Sequence, residues 1–187
     1  MLVQLLTQDE EPLRVHHIHM VNAEGRAEAE RAAVEAIVAW CRSRYRAFRY
    51  SESGLDFRGL EAIPIDYLAI AFVACQVAID TPGCRRIAVG SLAQDTDIEN
   101  RSSRQRRVFD ELYSCYRARK LGEPVVEWIY PVYRKSKQQV AAALPAELRE
   151  LTWSCRRPLI DASGEHASYR PCGACKACRA RTTIRAS

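Results

Sequence analysis

Near its end the chain reads LTWSCRRPLIDASGEHASYRPCGACKACRAR, and Cys155, Cys172, Cys175 and Cys178 all fall in that stretch, half of the 8 cysteines present. Their spacing is Cys-x16-Cys-x2-Cys-x2-Cys. A Cys-x2-Cys turn lets two thiolates face one ion. The overlapping turns at 172–175 and 175–178 present three, kept uncrowded by Gly173, Ala174 and Ala177, and Cys155 arrives as a fourth. Four sulfurs suit tetrahedral Zn2+ with no open position, which is a structural site. An iron–sulfur cluster also takes four thiolates. In ferredoxins the last cysteine precedes a proline, whereas Arg179 follows Cys178 here, so zinc is favoured and iron stays open. Free surface thiols are a reactive liability and the less economical reading. Cys41 and Cys75 sit on apolar helical faces and read as small core residues.

The surroundings of the cluster are basic. From Arg156 onward there are seven cations (Arg156, Arg157, Arg170, Lys176, Arg179, Arg181, Arg185) and two acids (Asp161, Glu165), in a chain of net charge +5. Four thiolates around a dication carry about two net negative charges, so neutralisation of that charge is the expected role of the cations. No aromatic-interleaved basic face stands out, which argues against a nucleic-acid partner.

The remaining sequence must build a scaffold. Its 187 residues suit one domain, with 48% hydrophobic and 27% charged residues. No apolar run is long enough to span a membrane. The start MLVQLLTQDEEP has no basic n-region or cleavage site, so the expected location is cytoplasmic, where clustered cysteines favour metal over disulfides.

Short β-like runs alternate with amphipathic helices. Strands are expected at 13–21, 47–51, 84–90 and 125–133. Helices are expected over AEGRAEAERAAVEAIVAWCRSRY, where Val34, Ile37, Val38 and Cys41 line one face, and over the all-round apolar 65–79. RQRRVFDELYSCYRARKLG and KSKQQVAAAL are the remaining helices, the latter closed by Pro145. Alternation of this kind predicts a doubly wound parallel α/β sheet. Ligands bind such sheets beyond the carboxyl ends of strands, which singles out the loops NAEGR, SESGLDFRG and SLAQDTD. His17 and His19 share a strand face at a spacing that can bind metal, although hydrogen bonding or packing explains them more simply.

In the order YPVYRKSKQQV, LTWSC, CGACKAC the chain resembles the C-terminal half of the 7-cyano-7-deazaguanine synthases. IAVGSLAQD resembles that family's third-strand loop, and VHHIHMVNAEGRAEAERAAVEAI its second strand and helix. The resemblance implies an ATP-pyrophosphatase fold of the adenine nucleotide alpha-hydrolase type. It divides the chain into an incomplete nucleotide-binding α/β domain at 1–150 and a zinc-binding tail at 151–187. It also implies zinc on Cys155, Cys172, Cys175 and Cys178, and substrate contact at Asp95. Nucleotide contact falls to Gly25, Arg26 and Lys137, and ATP enters with Mg2+. Family members adenylylate the carboxylate of 7-carboxy-7-deazaguanine, convert it to an amide with ammonia, and dehydrate the amide to the nitrile. The implied partners are a deazapurine and ATP, and a homodimer is left open.

Two departures stand out. The family's Ser-Gly-Gly-x-Asp-Ser phosphate loop would lie upstream of Met1, since MLVQLLTQDEEP looks like the second half of the first helix. TDIENRSSRQRR also replaces the family's substrate segment, which leaves the acceptor open. The expectation is an ATP-dependent C–N ligase where the phosphate loop is present upstream. A catalytically inactive zinc-containing binding subunit and an iron–sulfur protein are the alternatives.

Overall fold

The computed structural model describes the chain apart from residues 9, 61–65, 94–97, 120, 121, 123, 162, 164–166, 186 and 187. In chain order the elements are α1 (Leu2–Gln8), β1 (Arg14–Val21), α2 (Ala27–Arg42), β2 (Arg49–Asp56), α3 (Asp66–Ile79), β3 (Arg86–Ala88), α4 (Ile98–Arg117), β4 (Glu127–Ile129), α5 (Lys137–Ala142), α6 (Ala146–Leu151), β5 (Leu159–Asp161), β6 (Ser168–Arg170) and α7 (Lys176–Arg185). They fall into two compact units, one of Leu2–Ala62 with Ala141–Ser187, the other of Ile63–Val140 with Met1.

In the first unit β1 and β2 pair in parallel over eight positions, from Arg14 opposite Arg49 to Val21 opposite Asp56. A parallel pair needs a long crossover, which α2 provides. Strand alternation then sorts the side chains. Val15, His17, His19 and Val21 share one face with Tyr50, Glu52, Gly54 and Asp56, while His16, Ile18 and Met20 share the other with Ser51, Ser53 and Leu55. Val38 and Cys41 of α2 are buried, with Val34 and Ile37 half-buried beside them, as the helical spacing predicts. Helix α2 packs on β1 and α6. Trp40 Nε1 and Arg44 Nη2 both donate to Glu147 Oε2 at 2.9 Å, fastening α2 to α6.

The second unit is built on β3 and β4, also parallel, with Ile87 opposite Trp128. Its core is Ala71, Cys75 and Ala78 of α3, Phe109 and Tyr113 of α4, and Val126 and Trp128. The Phe109 ring stacks on Tyr113 at 5.3 Å and meets Trp128 edge-on at 5.2 Å. Gln105 is buried, and its Nε2 donates to the Tyr67 carbonyl at 3.0 Å. Ser136 and Gln139 form a reciprocal capping box that starts α5.

The structure departs from the sequence expectations in several places. Its strands form two parallel pairs and one antiparallel hairpin, β5–β6, and no single continuous sheet is present among the described residues. Strand β4 is three residues long where nine were expected, because Pro124 and Pro131 bracket it and proline cannot donate to a ladder. Strand β2 runs to Asp56, so most of SESGLDFRG is strand and not loop. Helix α3 is apolar all round yet leaves Phe72 46% exposed, so it is covered on one side only among the described residues. No helix among the described residues is long and apolar enough to cross a membrane.

Candidate metal centre

The sequence between Cys155 and Cys172 folds out and back. Helix α6 ends at Leu151, and Thr152 turns to an extended conformation (φ −69°, ψ 142°). Trp153 Nε1 donates to the Cys155 carbonyl at 2.9 Å, fixing the approach of that cysteine. Strands β5 and β6 then pair antiparallel, Leu159 opposite Arg170 and Asp161 opposite Ser168. This hairpin converts a separation of sixteen residues into a contact: the Cys172 N–H reaches Cys155 Sγ at 3.3 Å. Gly173 follows with φ +73°, a left-handed conformation that favours glycine, and swings the chain into α7. Helix α7 carries Cys178, and Arg181 anchors it by donating to the carbonyls of Thr152 (2.7 Å) and Arg149 (3.5 Å) at the end of α6.

All four sulfurs lie within 4.8 Å of one another. None is in a disulfide. A tetrahedron with metal–sulfur bonds of about 2.3 Å has sulfur–sulfur edges of roughly 3.8 Å, and Cys172 Sγ lies 3.9 Å from Cys178 Sγ. The donor set therefore fits a four-thiolate metal ion, with Cys155 and Cys178 buried and Cys172 and Cys175 half-buried.

Backbone N–H groups prepare the sulfurs for negative charge. The N–H of Cys175 reaches Cys172 Sγ, and that of Cys178 reaches Cys175 Sγ, both at 3.4 Å. N–H donation from Cys175 and Ala174 lowers the Cys172 thiol, and donation from Arg156 and Cys178 lowers that of Cys175 to about 6. Burial pushes Cys178 up to about 12, reinforced by its hydrogen bond with Cys175. An incoming ion would displace the proton there.

The other residues singled out in the sequence are distributed as follows. Gly25 closes the turn after β1, with φ +69° and its N–H on the Asn22 carbonyl at 3.2 Å. Arg26 lies beside Glu24 (3.2 Å) and Glu30 (3.4 Å), and burial raises the Glu30 carboxyl. Lys137 is exposed at the start of α5, in the other unit. Asp95 lies outside the described residues. The sequence offered no sign that Arg156 ties the metal tail to the loop after β1. Its N–H serves Cys175 while its guanidinium donates to Glu24 Oε1 at 3.0 Å. Replacing Arg156 by Ala should leave metal content intact and cost less than about 1 kcal/mol, since the pair is partly exposed. It should speed amide exchange across residues 22–26. Unchanged exchange there would show that the contact does not hold the loop.

His17 and His19 share a face, and their rings meet edge-on at 4.5 Å. What the sequence missed is Glu52, opposite His17 in the strand register, whose carboxylate meets His19 Nε2 at 2.5 Å. That hydrogen bond holds Glu52 below the usual carboxylate range. Burial, with His19 second, lowers His17 from 6.5 to about 4. Between those values the unfolded chain binds the extra proton, so stability should fall as pH drops from about 6.5 to 4. Glu52 adds a loss of the same sign at lower pH. His17→Gln should flatten the first part of this profile in urea melts recorded across pH. A profile unchanged in that variant would show that His17 does not carry it.

The fold and the site together define a mixed α/β protein with short parallel strand pairs and a C-terminal cysteine cluster suited to a metal ion. No protein-family model, no curated protein and no solved structure matches the chain.

Proposed function

We propose that the protein is an ATP-dependent ligase of the 7-cyano-7-deazaguanine synthase type, with a structural zinc ion holding its tail. The observation that supports this most is the convergence of Cys155, Cys172, Cys175 and Cys178 within 4.8 Å. These are the four positions that the resemblance assigns to zinc. In this reading the fold is of the doubly wound parallel α/β class. The helical crossovers of the two parallel pairs, β1–α2–β2 and β3–α4–β4, agree with such a fold. The loop at Gly25 and Arg26 follows the carboxyl end of β1, where nucleotides bind in such folds.

Cys155, Cys172, Cys175 and Cys178 would hold the zinc ion with all four positions on sulfur, which would give it a structural role in orienting the tail. ATP, bound with Mg2+, adenylylates the acceptor carboxylate and releases pyrophosphate. Ammonia displaces AMP to give an amide; a second ATP adenylylates the amide oxygen with release of pyrophosphate, and departure of AMP with that oxygen and loss of the two amide protons leaves the nitrile. The test is to incubate the full-length natural protein with ATP, Mg2+, ammonia and 7-carboxy-7-deazaguanine. Pyrophosphate release that depends on the acid, with nitrile found by mass spectrometry, is the expected result. Absence of ATP turnover with any deazapurine acid would end the ligase reading. Zinc content measured on the same sample separates the two halves of the proposal, and a brown, iron-containing protein would replace zinc with an iron–sulfur cluster.

A further inference from the structure

The cations of the tail were expected to neutralise the thiolates, but the sulfurs of Cys155, Cys172 and Cys175 receive backbone N–H groups instead. Arg156 points to Glu24, and Arg181 to backbone carbonyls. Arg157, Arg170 and Lys176 are exposed, and their side chains make no hydrogen bond or ion pair among the described residues. Each lies within two residues of a cysteine of the cluster. Because the four sulfurs are gathered within 4.8 Å, the backbone that carries these cations is held close to the metal centre.

Against the sequence expectation of no nucleic-acid partner, we propose that these cations bind the phosphate backbone of single-stranded nucleic acid. Unpaired cations on a fixed frame are what a polyanion recognises. Tyr169, half-exposed on the face of β6 opposite Arg170, offers a ring on which a base can stack where the strand passes over the hairpin edge. The exposed Leu159 (52%) and Ile160 (62%) do not make the hairpin a lipid anchor, since adjacent strand residues point to opposite sides. A surface helix or hairpin lying on lipid needs its apolar groups on one side. The inference rests on the metal-centre reading and is independent of the ligase chemistry.

The experiment is fluorescence anisotropy of a labelled 20-nucleotide oligouridylate, and its DNA counterpart, against the zinc-loaded full chain at several salt concentrations. With about three phosphates neutralised, log K for a single strand should fall against log salt with a slope of about −2. Affinity should then drop roughly 20-fold between 50 and 200 mM salt. The triple variant Arg157→Ala, Arg170→Ala, Lys176→Ala should keep its zinc and melting temperature while losing most of the slope. Lys176→Gln alone should reduce the slope by roughly 0.7, which tests the surface even if the triple variant folds poorly. No binding at 50 mM salt would overturn the proposal, as would an unchanged slope in the variants. Binding to phosphatidylserine vesicles with no response to either oligonucleotide would also overturn it. Loss of zinc from the wild-type protein, measured separately, would instead remove the metal-centre reading.

Discussion

Replacing Cys175 by Ser should take the zinc content from one ion per chain to none and unfold the tail. Cys175 belongs to both Cys-x2-Cys turns, and its sulfur accepts the N–H groups of Arg156 and Cys178. A serine hydroxyl supplies no thiolate at neutral pH. The effect should be large because the hairpin has no core of its own: Leu159, Ile160 and Asp161 are all exposed, and of β6 only Tyr169 is half-buried. Elements this short, without apolar cover, do not persist unaided. Structural zinc in small modules contributes on the order of 10 kcal/mol to folding, far more than the remaining contacts of the tail, such as the Arg181 hydrogen bonds. Amide exchange from Cys155 to Arg179 should approach unfolded-chain rates in the variant, while β1 and β2 stay protected. Replacement of zinc by Co2+ gives a second readout, since thiolate-to-cobalt absorption should be present in the wild-type protein and absent in the variant. Unchanged zinc in the Cys175→Ser protein would show that the centre is misassigned.

The second large effect belongs to the other unit. Phe109→Ala should destabilise it by about 3–5 kcal/mol, the usual cost of deleting a fully buried aromatic ring. Phe109 is 1% exposed and touches both Tyr113 and Trp128, so its removal strips ring contacts from α4 and β4 at once. The cavity cannot close easily. The α3 residues of this core, Ala71, Cys75 and Ala78, are small and have no side chain long enough to fill it. Urea denaturation followed by Trp128 fluorescence would report the loss. A change below about 1 kcal/mol would mean that the ring is not the centre of this core. Zinc content should not change in this variant, which separates the effect from that of Cys175.

What could be read beforehand differed from element to element, for physical reasons. Helix α2 declared itself because burial on one side imposes a period of 3.6, and Val38 and Cys41 obeyed it. The apolar α3 gave the right element, but uniform hydrophobicity carries no phase, so the exposed side bearing Phe72 was not foreseeable. Strand β1 was legible from its length and flanks, whereas β5 and β6 were not. Three-residue strands, exposed almost throughout, leave no alternating pattern in the sequence.

The sequence by itself singled out the cysteine cluster that the fold gathers closely enough to hold a metal ion. Thiolates have a demanding coordination chemistry, and two Cys-x2-Cys turns have few other uses, so type and spacing sufficed to name Cys155, Cys172, Cys175 and Cys178. Only the tertiary structure decided what neutralises them and what that leaves over. Hydrogen bonds from backbone N–H groups depend on the path of the chain and not on side-chain identity. The pairing of Glu52 with His19, and of Arg156 with Glu24, likewise joins residues 33 and 132 positions apart. Such contacts are fixed by strand register and by the fold of the tail, which no local pattern encodes.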